Sequence, residues 1–174
     1  MDDEIVDVVD EHNNVVGEAT KRECHEKGLW HRAADILLFN KQGKLLIQKR
    51  SPGKDLNPNL MCSSASGHLQ KGDSYEEGAK RELKEELGIE CELTPIIKYI
   101  MEIFYSDGRI DKEHVMLFLC NYDGGEFKID KEEVASIQFL SIDEIEEMIK
   151  KNKNQFTNGF LLDFQHFLDF IGQN

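Results

Sequence analysis

Three glutamates, Glu82, Glu85 and Glu86, stand within the nine residues Arg81-Glu-Leu-Lys-Glu-Glu-Leu-Gly-Ile89. If the stretch is helical, about 100° of turn per residue puts all three on one face. Residues 82 and 86 are one turn apart. Like charges at that spacing cost a helix a few tenths of a kcal/mol. Ala79, Leu83 and Leu87 form a neighbouring apolar stripe that would hold the helix against a core. A carboxylate cluster beside a buried stripe suits a hard divalent cation such as Mg²⁺, which takes a few carboxylates, waters and substrate phosphate oxygens. The plain alternative is a charged surface helix with Arg81 and Lys84 as local partners.

The elements that must position these residues are legible in outline. Ser74 to Leu87 is the clearest helix, with Ser74 as N-cap, Glu77 completing a capping box and Gly88 ending it. Ile5 to Val9 and Val15-Val16-Gly17 predict a small N-terminal hairpin around Asn13-Asn14. Trp30 to Phe39 and Leu45 to Gln48 predict a second hairpin. Ser51 to Gln70, with Pro52, Gly53, Pro58 and several serines, reads as loop. Ile96 to Tyr105 and Val115 to Tyr122 predict strands joined by a turn at 106–109, and Ile137 to Leu140 a short strand. Ser141 caps a helix over 143–151, and a last helix runs from about Phe156 to Ile171. Its phenylalanine stripe is read as packing on the sheet. Strands interleaved with helices make a mixed α/β domain.

The 23 residues Gly67 to Ile89 resemble the Nudix box. That pattern is Gly, five residues, Glu, seven residues, Arg-Glu, an aliphatic, one residue, Glu-Glu, one residue, Gly, an aliphatic. Every fixed position matches except one, where Asp73 stands for the first Glu. The resemblance implies a Nudix-type α/β/α sandwich with a mixed sheet and a loop-helix-loop metal site. It also implies attack by water on a diphosphate linkage, assisted by Mg²⁺ or Mn²⁺. Carried over, the metal ligands are Glu82, Glu85, Glu86 and the Gly67 carbonyl, with Arg81 orienting a glutamate and Asp73 structural. Glu85 is the first candidate for general base and Glu113 the second. Arg50 and Lys54 are candidates for substrate phosphate contacts.

The likeness extends over roughly residues 3–145. Gly28-Leu-Trp-His31-Arg-Ala33, Leu45 to Ser51, Lys54, Pro58 and Ser66-Gly67-His68 look like one branch of Nudix hydrolases and like the type I isopentenyl-diphosphate isomerases. The isomerase resemblance implies a second metal site of His25, His31, His68, Asp111 and Glu113. Against isomerase chemistry, Ser66 stands where that enzyme has a catalytic Cys, and a hydroxyl is a far weaker acid than a thiol. Glu82 also stands where the isomerase has a basic residue. The expected function is therefore a diphosphate hydrolase, with isomerase as the alternative. A non-catalytic ligand-binding module is the third reading, disfavoured by the intact glutamates.

The 174 residues argue for one domain: an N-terminal hairpin and lead-in over 1–29, a Nudix core over 30–151 and a C-terminal helix over 152–174. Net charge is −13, with −5 in residues 73–92 and −7 in 123–149. This excludes a nucleic-acid coat and an anionic-membrane binder, which need clustered Lys and Arg. The expected partner is a small diphosphate substrate, the expected assembly a monomer or homodimer. The acidic N-terminus predicts no signal peptide. Cys24, Cys62, Cys91 and Cys120 form no CxxC pair and are expected to be small buried hydrophobes in a reducing cytoplasmic compartment.

Overall fold

The computed structural model describes residues 4–173. Its central strand is β3 (Trp30–Phe39), buried continuously from Ala33 to Leu38, as a strand covered on both faces must be. Ala34, Ile36 and Leu38 pack with Ala79, Leu83 and Leu87. On the opposite face, Leu37 packs with Phe160, Phe164 and Phe167. The apolar stripe of the box helix and the phenylalanine stripe thus cover the two faces of one sheet. That is the expected α/β/α arrangement.

The remaining elements follow in chain order. β1 (Ile5–Val9) and β2 (Val15–Thr20) form the expected N-terminal hairpin as a separate two-stranded sheet. After them come α1 (Lys21–Lys27), β4 (Leu45–Arg50), β5 (Met61–Cys62), β6 (Ala65–His68) and α2 (Tyr75–Glu82). Then follow β7 (Thr94–Phe104), β8 (Ile110–Asn121), β9 (Val134–Leu140), α3 (Ile142–Asn152) and α4 (Asn158–Gly172). The seven-stranded sheet runs β5-β4-β3-β8-β7, with β6 on β3 and β9 on β4. β3 and β8 are parallel and the other pairs antiparallel. Among the described residues no helix is long and apolar enough to cross a membrane.

Five expectations are corrected. The 51–70 loop contains β5 and β6, which small residues had disguised; β6 adds to β3 through Ala65, Ser66, Gly67 and His68. β3 and β4 meet only at Phe39 and Leu45, because β4 pairs along its length with β9 instead. The lead-in carries α1, capped by the Thr20 hydroxyl, which accepts from the Glu23 N–H, and closed by Gly28 at φ 63°. Its only buried residues are Cys24 and His25, so it had no apolar stripe to betray it. Cys91 and Cys120 are joined in a disulfide, whereas Cys24 and Cys62 are the buried free thiols expected. Finally, α2 gives way at Leu83–Leu87 to a π-helical turn.

The capping box at Ser74 is present in full: its side chain accepts from the Glu77 N–H, and Glu77 Oε2 accepts from the Ser74 N–H at 2.9 Å. Ser74→Ala is expected to lower unfolding free energy by about 1 kcal/mol, measurable by urea denaturation.

Candidate active site and metal centre

Strand pairing gathers the histidines and the β8 acids. His31 opposes Glu113 in the parallel β3–β8 ladder, and Ala33 opposes His68 in the β3–β6 pair. Partners across a ladder share a face, and alternation adds Asp111 two residues before Glu113. His25 arrives from the last turn of α1. The structure thereby brings together all five residues of the expected second metal site. His31 Nε2 lies 3.3 Å from Asp111 Oδ1 and 3.6 Å from Glu113 Oε1. His25 Nε2 lies 3.5 Å from Asp111 Oδ1, and His68 Nε2 lies 2.9 Å from Glu113 Oε1. The potential ligand atoms of His25, His31, His68 and Asp111 fall within 4.8 Å of one another.

The donor set passes a physical test for a cation. His25 Nε2, His31 Nε2, His68 Nε2 and Asp111 Oδ1 are buried and make no hydrogen bond. Such orphaned atoms are rare and costly in a folded protein. His31 Nδ1 lies 2.9 Å from the Leu29 carbonyl; donating there leaves the Nε2 lone pair aimed into the cluster, as a ligating histidine requires. Charge says the same. Burial opposes a charge on His31, but Asp111 and Glu113 outweigh it and raise its pKa to about 10. Burial would also raise Asp111, yet His25 and His31 hold it well below the usual carboxylate range. His68 goes the other way, lowered to about 4 by burial and by the charge of Lys21. The two acids therefore call for a positive charge among the histidines. Imidazole with carboxylate suits Mn²⁺, Fe²⁺ or Zn²⁺ better than Mg²⁺.

The glutamate cluster lies on the other face of β6, where Gly67 alternates with His68. A side chain at Gly67 would occupy the position of the Glu82 carboxyl group. Glu82 is 12% exposed, and burial with the nearby Glu86 charge raises its pKa well above the ordinary value. Glu86 is buried too. Its Oε2 accepts from Gln48 Nε2 at 2.9 Å and from the Ser66 N–H at 3.2 Å, and burial nonetheless raises its pKa to about 7. Glu85 differs: its side chain is 58% exposed, 4.0 Å from Arg81 Nε. The expected single face of three glutamates is corrected to two inward carboxylates and one outward. The cause is the π turn, whose i→i+5 bonding rotates residues away from the 100° spacing; such turns are frequent at functional sites.

Arg81 is an anchor of the loop. It pairs with Asp73, its Nη2 donates to the His68 carbonyl at 2.9 Å, and it lies 3.5 Å from Glu82. Asp73 also accepts from the Gln70 N–H at 3.0 Å, so the shorter acid still closes the loop. Arg50 donates from Nε and Nη2 to the Leu56 carbonyl, and Lys54 pairs with Glu133. Both candidate phosphate contacts are thus engaged within the chain. Of the other histidines, His114 packs tilted against Trp30 and His166 tilted against Tyr99, with ring centroids 5.2 Å and 4.4 Å apart.

Sequence reasoning missed three contributors. Gln48 orients Glu86 and accepts from the Cys62 thiol at 3.2 Å. Lys21 acts on His68 from the start of α1. Asp35 lies on the same face of β3 as His31, opposite Ser66, and shares a buried cluster with Asp163 of α4. Only the position of Asp35 inside an apolar run was a visible signal.

The NUDIX domain family model matches residues 29–160. An uncharacterized Nudix hydrolase of Clostridium acetobutylicum is 34% identical, over 93% of this chain and 82% of the relative. An isopentenyl-diphosphate Delta-isomerase 2 of Photorhabdus laumondii is 32% identical, over 91% of this chain and 89% of the relative. Among solved structures, one from Deinococcus radiodurans superposes with a TM-score of 0.71 at 24% identity, covering 86% of this chain and 90% of that one. That likeness shows the fold.

Proposed function

The chain belongs to the NUDIX domain family, and from that premise we propose that it is a divalent-metal-dependent enzyme hydrolysing the diphosphate linkage of a small nucleoside or other organic diphosphate. The observation that carries this reading is the placement of Glu82 in the space left by Gly67, with Glu86 pinned beside it by Gln48 and the Ser66 N–H. Two desolvated carboxylates facing one strand-to-helix loop hold a cation far better than they hold each other. Mg²⁺ or Mn²⁺ there would offset phosphate charge and lower the pKa of a bound water. Glu82 and Glu86 would hold the ion, with the Gly67 carbonyl adjacent. Glu85, open to solvent, accepts the proton of the attacking water; Glu113 is the second choice for that base. Arg50 and Lys54, whose charges act on Glu86, are the cationic groups for substrate phosphates once released from Leu56 and Glu133, and Arg81 with Asp73 keeps the loop closed.

A second reading, isomerisation of isopentenyl diphosphate, is favoured by the five-residue histidine–carboxylate cluster and by the relatives that carry the isomerase name. Ser66 weighs against it. It sits opposite Asp35 on the cluster's face of the sheet, where proton delivery to an alkene needs a stronger acid than a hydroxyl. The test is phosphate release from a panel of nucleoside diphosphate derivatives and organic diphosphates with Mg²⁺ or Mn²⁺, run beside Glu82→Gln and Glu85→Gln. Metal-dependent release lost by about 100-fold or more in both variants is expected. Inert substrates throughout, or variants as active as the parent, would sink the hydrolase reading. Solvent-proton exchange into isopentenyl diphosphate by the parent chain would establish the isomerase instead.

A further inference from the structure

β7 ends the sheet, so one side of its backbone is unpaired among the described residues. Natural edges are usually blunted with charge, proline, bulges or covering elements. Here proline and a bulge sit only at one end, and the charges in the middle are one pair of opposite sign, Lys98 and Glu102. Pro95 and the bulge between Pro95 and Ile97 stop pairing at one end. The turn that returns Tyr105 N–H to the Arg109 carbonyl stops it at the other. Between them, residues 96–104 form an extended stretch whose midpoint is Ile100.

The side chains of that stretch are self-complementary. Register against β8 puts Lys98, Ile100, Glu102 and Phe104 on one face of the strand. Ile100 is 54% exposed and Phe104 70% exposed, unusual for large apolar groups on an edge. Reversing the strand about Ile100 sets Ile100 against Ile100 and Lys98 against Glu102, twice over by symmetry. On the opposite face the same operation sets Ile97, also exposed, against Ile103. Shifting the register by two residues would place Ile100 against a charged residue, so the charge pattern specifies one alignment.

We propose that the β7 edge pairs antiparallel with the same edge of a second copy of this chain, two-fold about Ile100, making one sheet continuous through the dimer. Main-chain hydrogen bonds supply the attraction and the Lys98–Glu102 pairs supply the register. Within one copy Lys98 lies over the Tyr75 ring and Glu102 lies 3.6 Å from Lys112. These contacts hold both charges on the face where the partner's charges would meet them. One edge is a small interface, so the dimer is concentration-dependent rather than obligate. The pairing is isologous and closes on itself, so it ends at two copies rather than growing a fibre.

Sedimentation equilibrium and site-specific crosslinking test this on the full chain. The parent is expected to shift from one chain mass toward two as concentration rises. Lys98→Glu should weaken association by about tenfold, because Glu then faces Glu twice. Adding Glu102→Lys to that variant should restore it. Ile100→Cys should give a covalent dimer under mild oxidation, since directly opposed Cβ atoms lie about 5 Å apart, whereas Glu102→Cys should not. Circular dichroism checks that each variant is folded. A parent monomeric at every soluble concentration would overturn the proposal. So would a dimer indifferent to Lys98→Glu, or one that Ile100→Cys fails to crosslink.

Discussion

Gly67→Ala is expected to cut metal-dependent diphosphate hydrolysis by about 100-fold or more while changing unfolding free energy by less than about 1 kcal/mol. Gly67 is not among the residues with positive φ, so alanine meets no backbone penalty there. The three nearest atoms all belong to Glu82, whose carboxyl group fills the space a Cβ would take. That group is the end of a flexible side chain and is poorly solvated where it sits, so expelling it costs the fold little. It costs the site its geometry. A displacement of about 1 Å in a catalytic group is enough for a 100-fold loss. Glu82→Ala should be about as inactive as Gly67→Ala, and the double variant no worse than either, because both changes remove the same interaction. Activity close to the parent in Gly67→Ala, or losses that multiply in the double variant, would show that Glu82 does not work from the Gly67 loop. A drop of several kcal/mol in stability would instead make Gly67 a packing residue.

The same pair of residues shows how far sequence reaches. Spacing gave the helix and its stripe because Ala79, Leu83 and Leu87 obey the helical period that burial imposes, and all three are buried. The five-residue cluster was visible only through resemblance. His25, His31, His68, Asp111 and Glu113 come from four elements, and nothing local in the chain marks them as neighbours; strand pairing does that. What failed was local geometry that depends on tertiary packing. A π turn leaves no periodic signature in five residues, so Glu85 turned outward unannounced. β6 was hidden because Ser66 and Gly67 are poor strand formers in isolation, and only pairing to β3 makes them one. The Cys91–Cys120 disulfide joins residues 29 apart with no spacing motif.

The largest effect expected on stability belongs to the buried carboxyl pair beneath α4. Asp163 is fully buried and accepts from the Ser63 hydroxyl at 2.6 Å and the Tyr99 hydroxyl at 2.7 Å. A proton shared from Asp35 to Asp163 is the expected arrangement of this buried pair. Burial, followed by the charge of Asp163, keeps the Asp35 pKa well above the ordinary value, and burial lifts Asp163 to about 6. Glu113 and Asp111 add like charge from the metal side, and His166 lies against Tyr99. Asp163→Ala strands the buried Ser63 hydroxyl and the half-buried Tyr99 hydroxyl and opens a gap between α4 and the sheet, an expected loss of about 2–5 kcal/mol. The pH dependence has a definite sign. In the unfolded chain both acids ionise near the ordinary value of 3.8, while the folded pair still holds its protons. The folded state therefore binds more protons over that interval. This contribution is complete below pH 3.8 and declines as pH rises to about 6 and beyond. Asp35→Asn replaces the shared proton with a permanent N–H donor. Measured by urea denaturation between the two pKa values and above, this variant should gain on the parent by about 1–3 kcal/mol as pH rises. Parallel stability curves for parent and variant would mean that the two carboxyls share no proton, and that the Ser63 and Tyr99 bonds alone hold Asp163 in place.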